Sequence, residues 1–435
     1  MKILVIGGGP AGTQAALAAA SQGQPVTLIS EGPPGGNAMW RTLLPSKIWL
    51  QAEAPGDLAA MYDRYERVAG AWQRQVMDDL ERAGVDVRLG VASFLSPHQM
   101  QVEPPEGGYP DHLEADRIIL ATGAEPFLPP GFQPDGERIF IPGTIWGIPA
   151  LPRTVIVVGA GGPATEYVDA FSRLGIQVTW ITGPVAALSA YPPEVGQFIT
   201  QIMERRGVRV VKGLLARGVE RREDGVRALT ADGATYEAEM ALVAIGMRPN
   251  LEQLNLPAAG LHAGLSGGLP TDAYGRTAVR HIYLVGDAAS PLSGNISIAQ
   301  GRAAGWHAAG LAVEPVSTEL AVKAIYTHPQ IAMVGRLSDQ SGQMRKVRAP
   351  FQACLRAHLL DDPLPPEEAG FIEIAYDASG RVTGALAVCP EAAEILTSLA
   401  VGLHAGLTLR ALASAVPAHP TFSELAVIAA RQARI

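Results

Sequence analysis

The sequence lacks the features that mark secreted, nucleic-acid-binding and membrane proteins. Only two of its 435 residues are cysteines, Cys354 and Cys389, which is too few for a disulfide framework, although one bridge between them stays open. The formal net charge is −8, whereas nucleic acids and anionic membranes require a basic surface. No apolar run approaches the roughly 18 residues that cross a bilayer. We therefore expect a soluble, cytoplasmic protein with no nucleic-acid partner and no integral membrane segment.

Aromatic residues are also scarce, at 6% of the chain. Hydrophobic residues reach 48%, and this length permits a large core divided among roughly two to four domains. The 48 glycines and 34 prolines show no triplet period, which excludes a collagen-like chain. Many tight turns between small-residue elements favour an α/β nucleotide-binding protein.

One pattern occurs twice: a short apolar strand, a glycine-rich turn, a helix and a second strand. The first copy has strands at 3–6 and 26–29, and the second has strands at 155–158 and 178–181. Glycine permits the tight turn, lets the backbone approach a pyrophosphate and directs amide N–H groups at it. We therefore predict two dinucleotide sites. The candidate residues are Gly7, Gly9, Pro10, Ala11 and Gly12 in the first copy and Gly159, Gly161 and Ala164 in the second.

The ends of the second strands predict how each adenosine ribose is held. An acidic residue should follow the glycines by about 20 residues and bind the ribose 2′-hydroxyl. In the first copy Glu31 has this spacing. In the second copy the segment 180–184 has neither an acidic residue nor a nearby arginine for a 2′-phosphate, so the choice between NADH and NADPH stays open.

The rest of the chain contains further strands and a region of different texture. Buried strands are predicted at 117–120, 241–246 and 281–285, each ending at a glycine-containing turn. From about Thr318, strand-like runs at 371–374 and 382–388 precede helices at 392–405 and 422–434. This region has no nucleotide fingerprint, so we expect a third domain for substrate or dimer contacts.

The order of these motifs resembles the flavin-dependent pyridine nucleotide disulfide oxidoreductases, which include dihydrolipoamide dehydrogenase, glutathione reductase and soluble transhydrogenase. The further motifs that carry the resemblance are Gly35-Gly36 through Lys47, Ala121-Thr122-Gly123, Gly286-Asp287, Thr327-His328-Pro329 and His419 through Glu424. The resemblance implies an α/β fold with two Rossmann-like dinucleotide-binding domains, for FAD and NAD(P), and a C-terminal α+β dimerisation domain. The implied segments are 1–147 and 268–317 for the FAD domain, 148–267 for the NAD(P) domain and 318–435 for the dimerisation domain.

The resemblance also implies roles for individual residues. Lys47 and Glu166 occupy the positions of an ion pair beside the reactive edge of the flavin in the family. Asp287 occupies the position of the residue that hydrogen-bonds the ribityl chain of the flavin. His419 and Glu424 match an acid/base pair that reaches the partner subunit's site in a homodimer, whereas His328 matches a structural position. The cofactor-binding candidates are completed by Gly36, Lys47, Ala121, Thr122, Gly123, Gly246 and Gly286. No histidine spacing predicts a metal site.

Two departures from the family pattern change the expected chemistry. Ala38 and Leu43 occupy the positions of the family's two redox cysteines, and disulfide reduction requires a thiolate. Gly162 stands where the family often has a tyrosine that covers the nicotinamide site, which predicts a more open flavin face. Trp40 and Arg41 lie in the altered segment, where Trp40 stacks on a flat acceptor or simply packs in the core.

These observations predict an FAD-dependent NAD(P)H:acceptor oxidoreductase of the quinone-reductase type. NAD(P)H is the electron donor, and a small quinone-like molecule receives electrons from the flavin without a disulfide relay. A soluble transhydrogenase is one alternative, with a second pyridine nucleotide as acceptor. The other alternative is a flavoprotein without turnover that serves as a scaffold for a partner.

Overall fold

The structure is a computed structural model that describes residues 1–52, 58–264, 267–290, 293–339, 342–360 and 365–433. The chain divides into two units. The first comprises Met1–Gly159 and Ala216–Val316, and the second comprises Ala160–Leu215 and Ser317–Ile435. The four predicted domain segments stay a prediction, because this division follows contacts and not ligand sites.

The strands of the described chain are numbered in sequence order. They are β1 Ile3–Ile6, β2 Val26–Ser30, β3 Asp86–Leu89, β4 Val91–Ser96, β5 Gln99–Glu103, β6 Asp111–Glu114, β7 Arg117–Leu120, β8 Ala124–Pro126, β9 Ile139–Phe140, β10 Thr154–Val158, β11 Gln177–Gly183, β12 Arg209–Lys212, β13 Ala216–Arg221, β14 Val226–Thr230, β15 Thr235–Ala238, β16 Met240–Val243, β17 Met247–Pro249, β18 Ile282–Leu284, β19 Lys323–Ile325, β20 Ile331–Gly335, β21 Arg345–Pro350, β22 Phe371–Tyr376 and β23 Val382–Val388.

The α-helices of the same residues are numbered in the same way. They are α1 Pro10–Ala20, α2 Gly36–Trp40, α3 Leu43–Leu50, α4 Leu58–Arg82, α5 Gly162–Arg173, α6 Pro193–Arg205, α7 Gly294–Ala308, α8 Pro366–Ala369, α9 Ala392–His404, α10 Leu409–Ser414 and α11 Glu424–Arg431. No helix of the described residues has both the length and the hydropathy needed to cross a membrane.

The first unit is built around a parallel sheet with strand order β18-β7-β1-β2-β3. All four residues of β1 are buried, as expected for a strand covered on both faces. Ile3 and Val5 pack into a core with α1 and α7, whereas Leu4 and Ile6 pack into a second core with the antiparallel β4-β5-β6 sheet. This alternation follows from the two-residue period of a strand. The first unit also contains the parallel strands β10, β16 and β9 and the antiparallel β13-β14-β15 sheet.

The second unit contains the parallel pair β11–β12 with helices α5 and α6, and an antiparallel sheet with strand order β19-β20-β23-β22-β21. Helices α9 and α11 pack against that sheet over a core that includes Ile372, Leu396 and Leu425. The predicted C-terminal α+β region is therefore confirmed.

The predicted elements are confirmed, with corrections at their ends. β16 ends at Val243 instead of 246, because Gly246 has φ of +139° and the chain then turns into β17. β18 and α9 are each shorter than predicted by one or two residues. α11 begins at Glu424 instead of Phe422, since the Glu424 carboxylate accepts the Thr421 N–H ahead of the helix. The helix ends at Arg431, with Gln432 as its C-cap, instead of at residue 434, which lies outside the described residues.

Candidate active site

The turn after β1 can close only with glycine at two of its positions. Gly7 has φ of +109°, and a Cβ there would lie 2.2 Å from the Ala121 carbonyl oxygen. A Cβ on Gly12 would lie 1.8 Å from the Gly7 carbonyl oxygen. At Gly9 the nearest atom to an added Cβ is the Gly36 Cα at 3.9 Å. Backbone atoms therefore leave no room for a side chain at Gly7 or Gly12. At Gly9 the turn has the open space that a bound pyrophosphate requires.

Helix α1 begins directly at this turn. Its N-cap is Gly9, its first residue is Pro10, and its first turn has no acidic residue and no capping side chain. Such a helix start leaves backbone N–H groups and the positive end of the helix dipole for an anion. The segment around Gly36 lies against the turn, because the Gly35 N–H donates to the Gly8 carbonyl oxygen at 2.8 Å.

At the end of β2, Ser30 and the predicted ribose ligand Glu31 differ in their accessibility. Ser30 is buried, and its hydroxyl donates to the Gly32 carbonyl oxygen at 2.6 Å. Glu31 is exposed. The carboxylate of Glu31 is therefore accessible to a ligand, whereas the Ser30 hydroxyl is engaged in the turn.

Asp287 follows β18, which pairs in parallel with β7 in the first sheet, and α7 packs beside it. A Cβ on Gly301 would lie 2.0 Å from the Ala11 carbonyl oxygen, so α7 approaches α1 at backbone distance. The Ser297 hydroxyl of α7 donates to Asp287 Oδ1 at 2.9 Å, and Gln300 Oε1 accepts the Gly286 N–H at 3.0 Å. Sequence reasoning missed both positioning side chains. The small residues at 297, 301 and 305, four apart on one helix, were the pattern that could have revealed this packing.

The motif Ala121-Thr122-Gly123 supplies a buried polar group. The Thr122 hydroxyl is buried and has no hydrogen-bond partner in the part of the chain that the structure describes. Buried polar groups normally have partners, so an orphan beside the glycine turn indicates that a ligand supplies one. Together with the accessible turn at Gly9 and the carboxylate of Asp287, the residues present fit a bound dinucleotide such as FAD.

Leu43, one of the two residues predicted to occupy cysteine positions, lies close to the start of α7. Its Cδ1 is 3.5 Å from where a Cβ of Gly294 would be, and 47% of the residue is exposed. Ala38 is half-buried. Lys47 follows on α3 with a half-buried side chain. This segment therefore presents aliphatic side chains at Ala38 and Leu43, and their match to the redox-cysteine positions stays a prediction.

Trp40 and Arg41 differ in their surroundings. The Trp40 Nε1–H donates to the Pro33 carbonyl oxygen at 3.1 Å, and the Trp40 carbonyl accepts from the Tyr65 hydroxyl at 3.1 Å. Arg41 is exposed. Because Trp40 is bonded within the first unit, its structural role is the better supported of the two that the sequence left open.

Both cysteines are free thiols in the core of the second unit. Cys354 and Cys389 are 1% and 0% exposed, among the residues that pack under the C-terminal sheet. Burial raises the pKa of both thiols. The possibility of a disulfide is thus excluded in this structure, and neither thiol is poised to become a reactive thiolate at neutral pH.

The second glycine turn leads into α5, which carries Glu166. Gly161 is the N-cap, and Ala164 is fully buried in the first turn. Glu166 is 7% exposed, and its Oε1 accepts the Tyr326 N–H at 2.9 Å. Burial and the negative charge of Glu166 raise the pKa of Tyr191. Glu166 is therefore a buried carboxylate whose position is fixed by the backbone of residue 326.

Gly162 lies against the side chain of Ile325, and the predicted openness of the flavin face stays a prediction. A Cβ at this position would lie 2.6 Å from the Ile325 Cδ1. The side chain of Ile325 therefore covers the start of α5 on that side.

His419 and Glu424 form a hydrogen-bonded pair. The His419 Nδ1 lies 2.8 Å from Glu424 Oε2, and the Thr421 N–H donates to Glu424 Oε1 at 2.6 Å. The hydrogen bond from His419, and then that from Thr421, lower the pKa of Glu424. The His419 side chain is 62% exposed. With Nδ1 bonded to the carboxylate, Nε2 is the ring nitrogen available for proton transfer.

His328 belongs to a different network. Its Nδ1 lies 3.0 Å from Oδ2 of the fully buried Asp169, which also bonds Arg206 at 3.0 Å. Arg206 in turn bonds the His328 carbonyl oxygen and Glu368. This network links α5, α6 and α8 inside the second unit, which supports the structural role expected for His328.

Gly123 directly precedes β8, and Gly246 directly precedes its antiparallel partner β17. The Gly123 carbonyl accepts the Asn250 N–H at 3.0 Å, and the Gly246 carbonyl accepts the Phe127 N–H at 3.0 Å.

The candidate residues are divided between the two units. Gly159, Gly246 and all the candidates of the first copy belong to the first unit. Gly161, Ala164, Glu166, His419 and Glu424 belong to the second unit.

Comparison with protein families agrees with this geometry. Residues 1–311 match the family model of pyridine nucleotide-disulphide oxidoreductases, and residues 321–430 match that of the family's dimerisation domain. The chain belongs to the pyridine nucleotide-disulphide oxidoreductase family. It is therefore an α/β flavoprotein oxidoreductase with a nucleotide-binding region and a C-terminal dimerisation domain, in a family that uses FAD with NAD(P)H.

Two relatives of this pyridine nucleotide-disulphide oxidoreductase are named for different reactions. The chain is 30% identical to an NAD(P)H dehydrogenase (quinone) of Mycobacterium tuberculosis, over 99% of this chain and 93% of that protein. It is 31% identical to dihydrolipoyl dehydrogenase 2 of Haloarcula marismortui, over 100% of this chain and 96% of that protein.

Solved structures extend the similarity to the whole fold. The crystal structure of LpdA from Mycobacterium tuberculosis superposes with a TM-score of 0.92 at 30% identity, over 99% of each chain. The flavoprotein disulfide reductase RclA of Escherichia coli, as a Cu(II) complex, has a TM-score of 0.88 at 22% identity, over 99% of this chain and 98% of that one, which shows a common fold.

Proposed function

We propose that this pyridine nucleotide-disulphide oxidoreductase is an FAD-dependent NAD(P)H:acceptor oxidoreductase of the quinone-reductase type. Bound FAD would take a hydride from NAD(P)H and deliver two electrons to the acceptor. The relative named NAD(P)H dehydrogenase (quinone) supports a quinone as that acceptor. The protein would thus share the fold of disulfide reductases without their dithiol chemistry.

The observation that carries this proposal is the absence of a usable thiol. Ala38 and Leu43 stand at the positions of the redox pair, and the only two cysteines of the sequence are buried in the C-terminal core. Disulfide exchange requires an accessible thiolate. Because Leu43 is aliphatic and about half exposed, the segment suits a flat, weakly polar molecule better than a disulfide substrate.

The residues of the first unit would hold and tune the flavin. The turn at Gly7, Gly9 and Gly12 and the start of α1 would bind the pyrophosphate, and Glu31 the adenosine ribose. Asp287, held by Ser297, would accept hydrogen bonds from the ribityl chain. The positive charge of Lys47 would stabilise negative charge on the reduced ring system.

The second unit would supply the nicotinamide nucleotide and the proton. The turn at Gly159 and Gly161 and the start of α5 would bind the nucleotide pyrophosphate, with Glu166 directed by the Tyr326 N–H. His419 would deliver a proton from Nε2 to a quinone oxygen, while Glu424 holds Nδ1 and stabilises the protonated ring. The match to the dimerisation domain supports a homodimer in which His419 serves the partner's flavin.

We also propose a cytoplasmic location, which rests on cysteine content. Both cysteines are free and buried, as a reducing compartment permits. Cell fractionation with an antibody to the native protein tests this assignment.

Anaerobic reduction and an acceptor panel test the function. The purified protein should contain FAD, take up two electrons per flavin and show no thiolate-to-flavin charge-transfer band. The value of kcat/KM with a menadione-like quinone should exceed that with lipoamide or glutathione disulfide by at least roughly a hundredfold, or about 2.7 kcal/mol. Arsenite, which blocks dithiols, should not inhibit.

Each alternative predicts a different result in the same panel. Uptake of four electrons with a stable long-wavelength band would exclude the proposal. Fastest turnover with a thio-nicotinamide nucleotide would identify a transhydrogenase. Failure of NADH and NADPH to bleach the flavin would favour a scaffold without turnover.

A further inference from the structure

The end of strand β11 determines which nicotinamide nucleotide the second glycine turn can accept. In dinucleotide-binding folds an acidic residue at this strand end bonds the 2′-hydroxyl of NAD and repels the 2′-phosphate of NADP. Here Thr182 lies at the strand end and is 5% exposed. Its hydroxyl donates to the Val211 carbonyl oxygen at 3.3 Å. The strand end therefore presents no carboxylate, and its hydroxyl is already bonded to the neighbouring strand.

The segment after β11 adds no acidic group. Residues 183–193 contain no charged side chain. The next carboxylate along the chain is Glu194, and both of its oxygens accept hydrogen bonds from Arg348 Nη2 at 2.9 Å. Nothing in this segment would therefore repel a phosphate on the ribose.

A cation lies on the strand beside it. β12 pairs in parallel with β11, and Lys212 is the register partner of Gly183, one residue beyond Thr182. Adjacent strands are about 4.8 Å apart, so a lysine side chain at this position can reach a group bound at the end of β11. Lys212 is 56% exposed at its side chain, and its Nζ lies 2.7 Å from Glu204 Oε1 on α6.

The ion pair with Glu204 leaves Lys212 able to change partner. Ion pairs between exposed side chains contribute little, because water and salt screen them and their side chains lose conformational freedom. The Glu204 side chain is itself 41% exposed. A ribose 2′-phosphate carries more negative charge than one carboxylate and offers three acceptor oxygens, so it competes effectively for a mobile ammonium group.

We propose that the nicotinamide site accepts the 2′-phosphorylated nucleotide, NADPH, in preference to NADH, and that Lys212 is the specificity-determining residue. This inference rests on the proposed function, since it names the electron donor of that reaction. Lys212 meets the 2′-phosphate and gives up Glu204. A single exposed lysine binds a phosphate less tightly than an arginine, whose guanidinium group makes two parallel hydrogen bonds. We therefore expect the 2′-phosphorylated nucleotide to bind about tenfold more tightly than the unphosphorylated one.

Binding of nucleotide fragments to the full-length, FAD-loaded protein tests the inference without turnover. Isothermal titration calorimetry compares ADP-ribose with 2′-phospho-ADP-ribose, which differ only at the ribose 2′ position. The phosphorylated fragment should bind about tenfold more tightly at low salt, and this advantage should shrink as ionic strength rises. The ratio of kcat/KM for NADPH over NADH with a quinone acceptor should follow the ratio of affinities.

Three exposed substitutions separate Lys212 from a general charge effect. Lys212→Gln should reduce the ratio of affinities to about twofold or less by weakening only the phosphorylated fragment. Glu204→Gln should increase the ratio, because it releases Lys212 from its partner. The matched control is Arg336→Gln, which removes another exposed cation, paired with Glu319 at 3.2 Å in the same unit, and should leave the ratio at its original value.

The outcomes distinguish this inference from the proposed function. Equal binding of the two fragments, binding of neither, or an equal effect of Arg336→Gln and Lys212→Gln would overturn the role of Lys212 even if quinone turnover is found. A Lys212-dependent preference in calorimetry, with no quinone turnover, would support the inference and remove the proposed reaction.

Discussion

In the proposed function, single side chains separate this chain from the disulfide-reducing members of its family. Ala38 and Leu43 would replace the dithiol with aliphatic groups, while the charges of Lys47 and Asp287 would serve the flavin. The proposed change removes the electron relay and leaves the residues that would bind and polarise the cofactor.

Lys47→Met tests the charge proposed to stabilise the reduced flavin. The substitution keeps a similar side-chain length and removes the ammonium group, so reduction by the nucleotide should slow by on the order of tenfold, or about 1.4 kcal/mol. Anaerobic stopped-flow absorbance of the flavin measures this step. Lys323→Met, at another half-buried lysine, should leave the rate near that of the unmodified protein. An unchanged rate in Lys47→Met would remove the assigned role.

Glu424→Gln tests the proton donor through its partner. An amide keeps an acceptor for the Thr421 N–H but removes the negative charge opposite His419. We expect reoxidation by a quinone to slow by about tenfold, within the range of general acid catalysis, while flavin reduction keeps its rate. Equal slowing of both half-reactions in stopped-flow traces would indicate a structural role instead.

At the scale of elements, contact between α1 and α7 determines where the proposed flavin-binding residues lie. Gly301 and Gly305 let α7 approach the backbone of α1, and the same helix positions Asp287 through Ser297. Packing between two helices and alignment of the cofactor site are therefore consequences of the same small residues.

Gly301→Ala should disturb both packing and cofactor retention. Its Cβ would lie 2.0 Å from the Ala11 carbonyl oxygen and 2.9 Å from the Ala11 Cα, so backbone must move. Overpacking of this kind costs about 1–3 kcal/mol, and we expect a lower thermal midpoint and faster loss of FAD on dilution. Arg302→Ala, at the exposed neighbour on α7, is the control. If Gly301→Ala retained FAD normally, the contact between α7 and α1 would not determine FAD binding.

The stacked pair His98 and His281 predicts a pH-dependent stability of the first unit. Their ring centroids are 3.8 Å apart with the planes 5° from parallel. Burial, with a further contribution from His98, lowers the pKa of His281, so the unfolded chain binds more protons than the folded one below about pH 6.5. Stability should therefore be fully present above about pH 6.5 and decline as the pH falls below it.

Thermal midpoints between pH 5 and 8 measure this dependence. His281→Gln, which can keep a hydrogen bond to the Pro97 carbonyl, should flatten the decline on the acid side. His404→Gln, at an exposed position on α9, should not flatten it. The same slope in all three proteins would show that other groups govern acid sensitivity.

At the scale of the whole molecule, the proposed homodimer would divide the catalytic residues between protomers. Lys47 would act on the flavin of its own chain, and His419 would act on the flavin of the partner. A hybrid dimer of Lys47→Met and His419→Gln then contains one fully substituted site and one intact site, because a two-fold interface exchanges the same elements in both directions.

Co-expression of these two variants should restore activity. Half of a random mixture is hybrid, and each hybrid has one intact site, so quinone turnover should reach about a quarter of the unmodified value. The two separately purified variants, mixed without exchange, are the control. No gain over the control would place His419 with the flavin of its own chain, and a monomer in light scattering at micromolar concentration would contradict the dimer.

The sequence by itself determined the two βαβ repeats and the positions of the glycine turns. These follow from local requirements: apolar runs such as 3–6 form buried strands, Gly7 has φ of +109°, and a Cβ at Gly12 would lie 1.8 Å from the Gly7 carbonyl oxygen of the same turn. Motif order also determined the family. Element ends were less certain, as at 241–246 and 422–434, because caps and turns beyond the apolar run decide where pairing stops.

Only the tertiary structure decided which side chains meet. Ser297 on α7 meets Asp287 beyond the end of β18, and the register of β12 beside β11 places Lys212 opposite Gly183. Glu166 is held by the Tyr326 N–H, 160 residues later in the chain. The geometry of these contacts comes from packing between elements instead of from any local pattern.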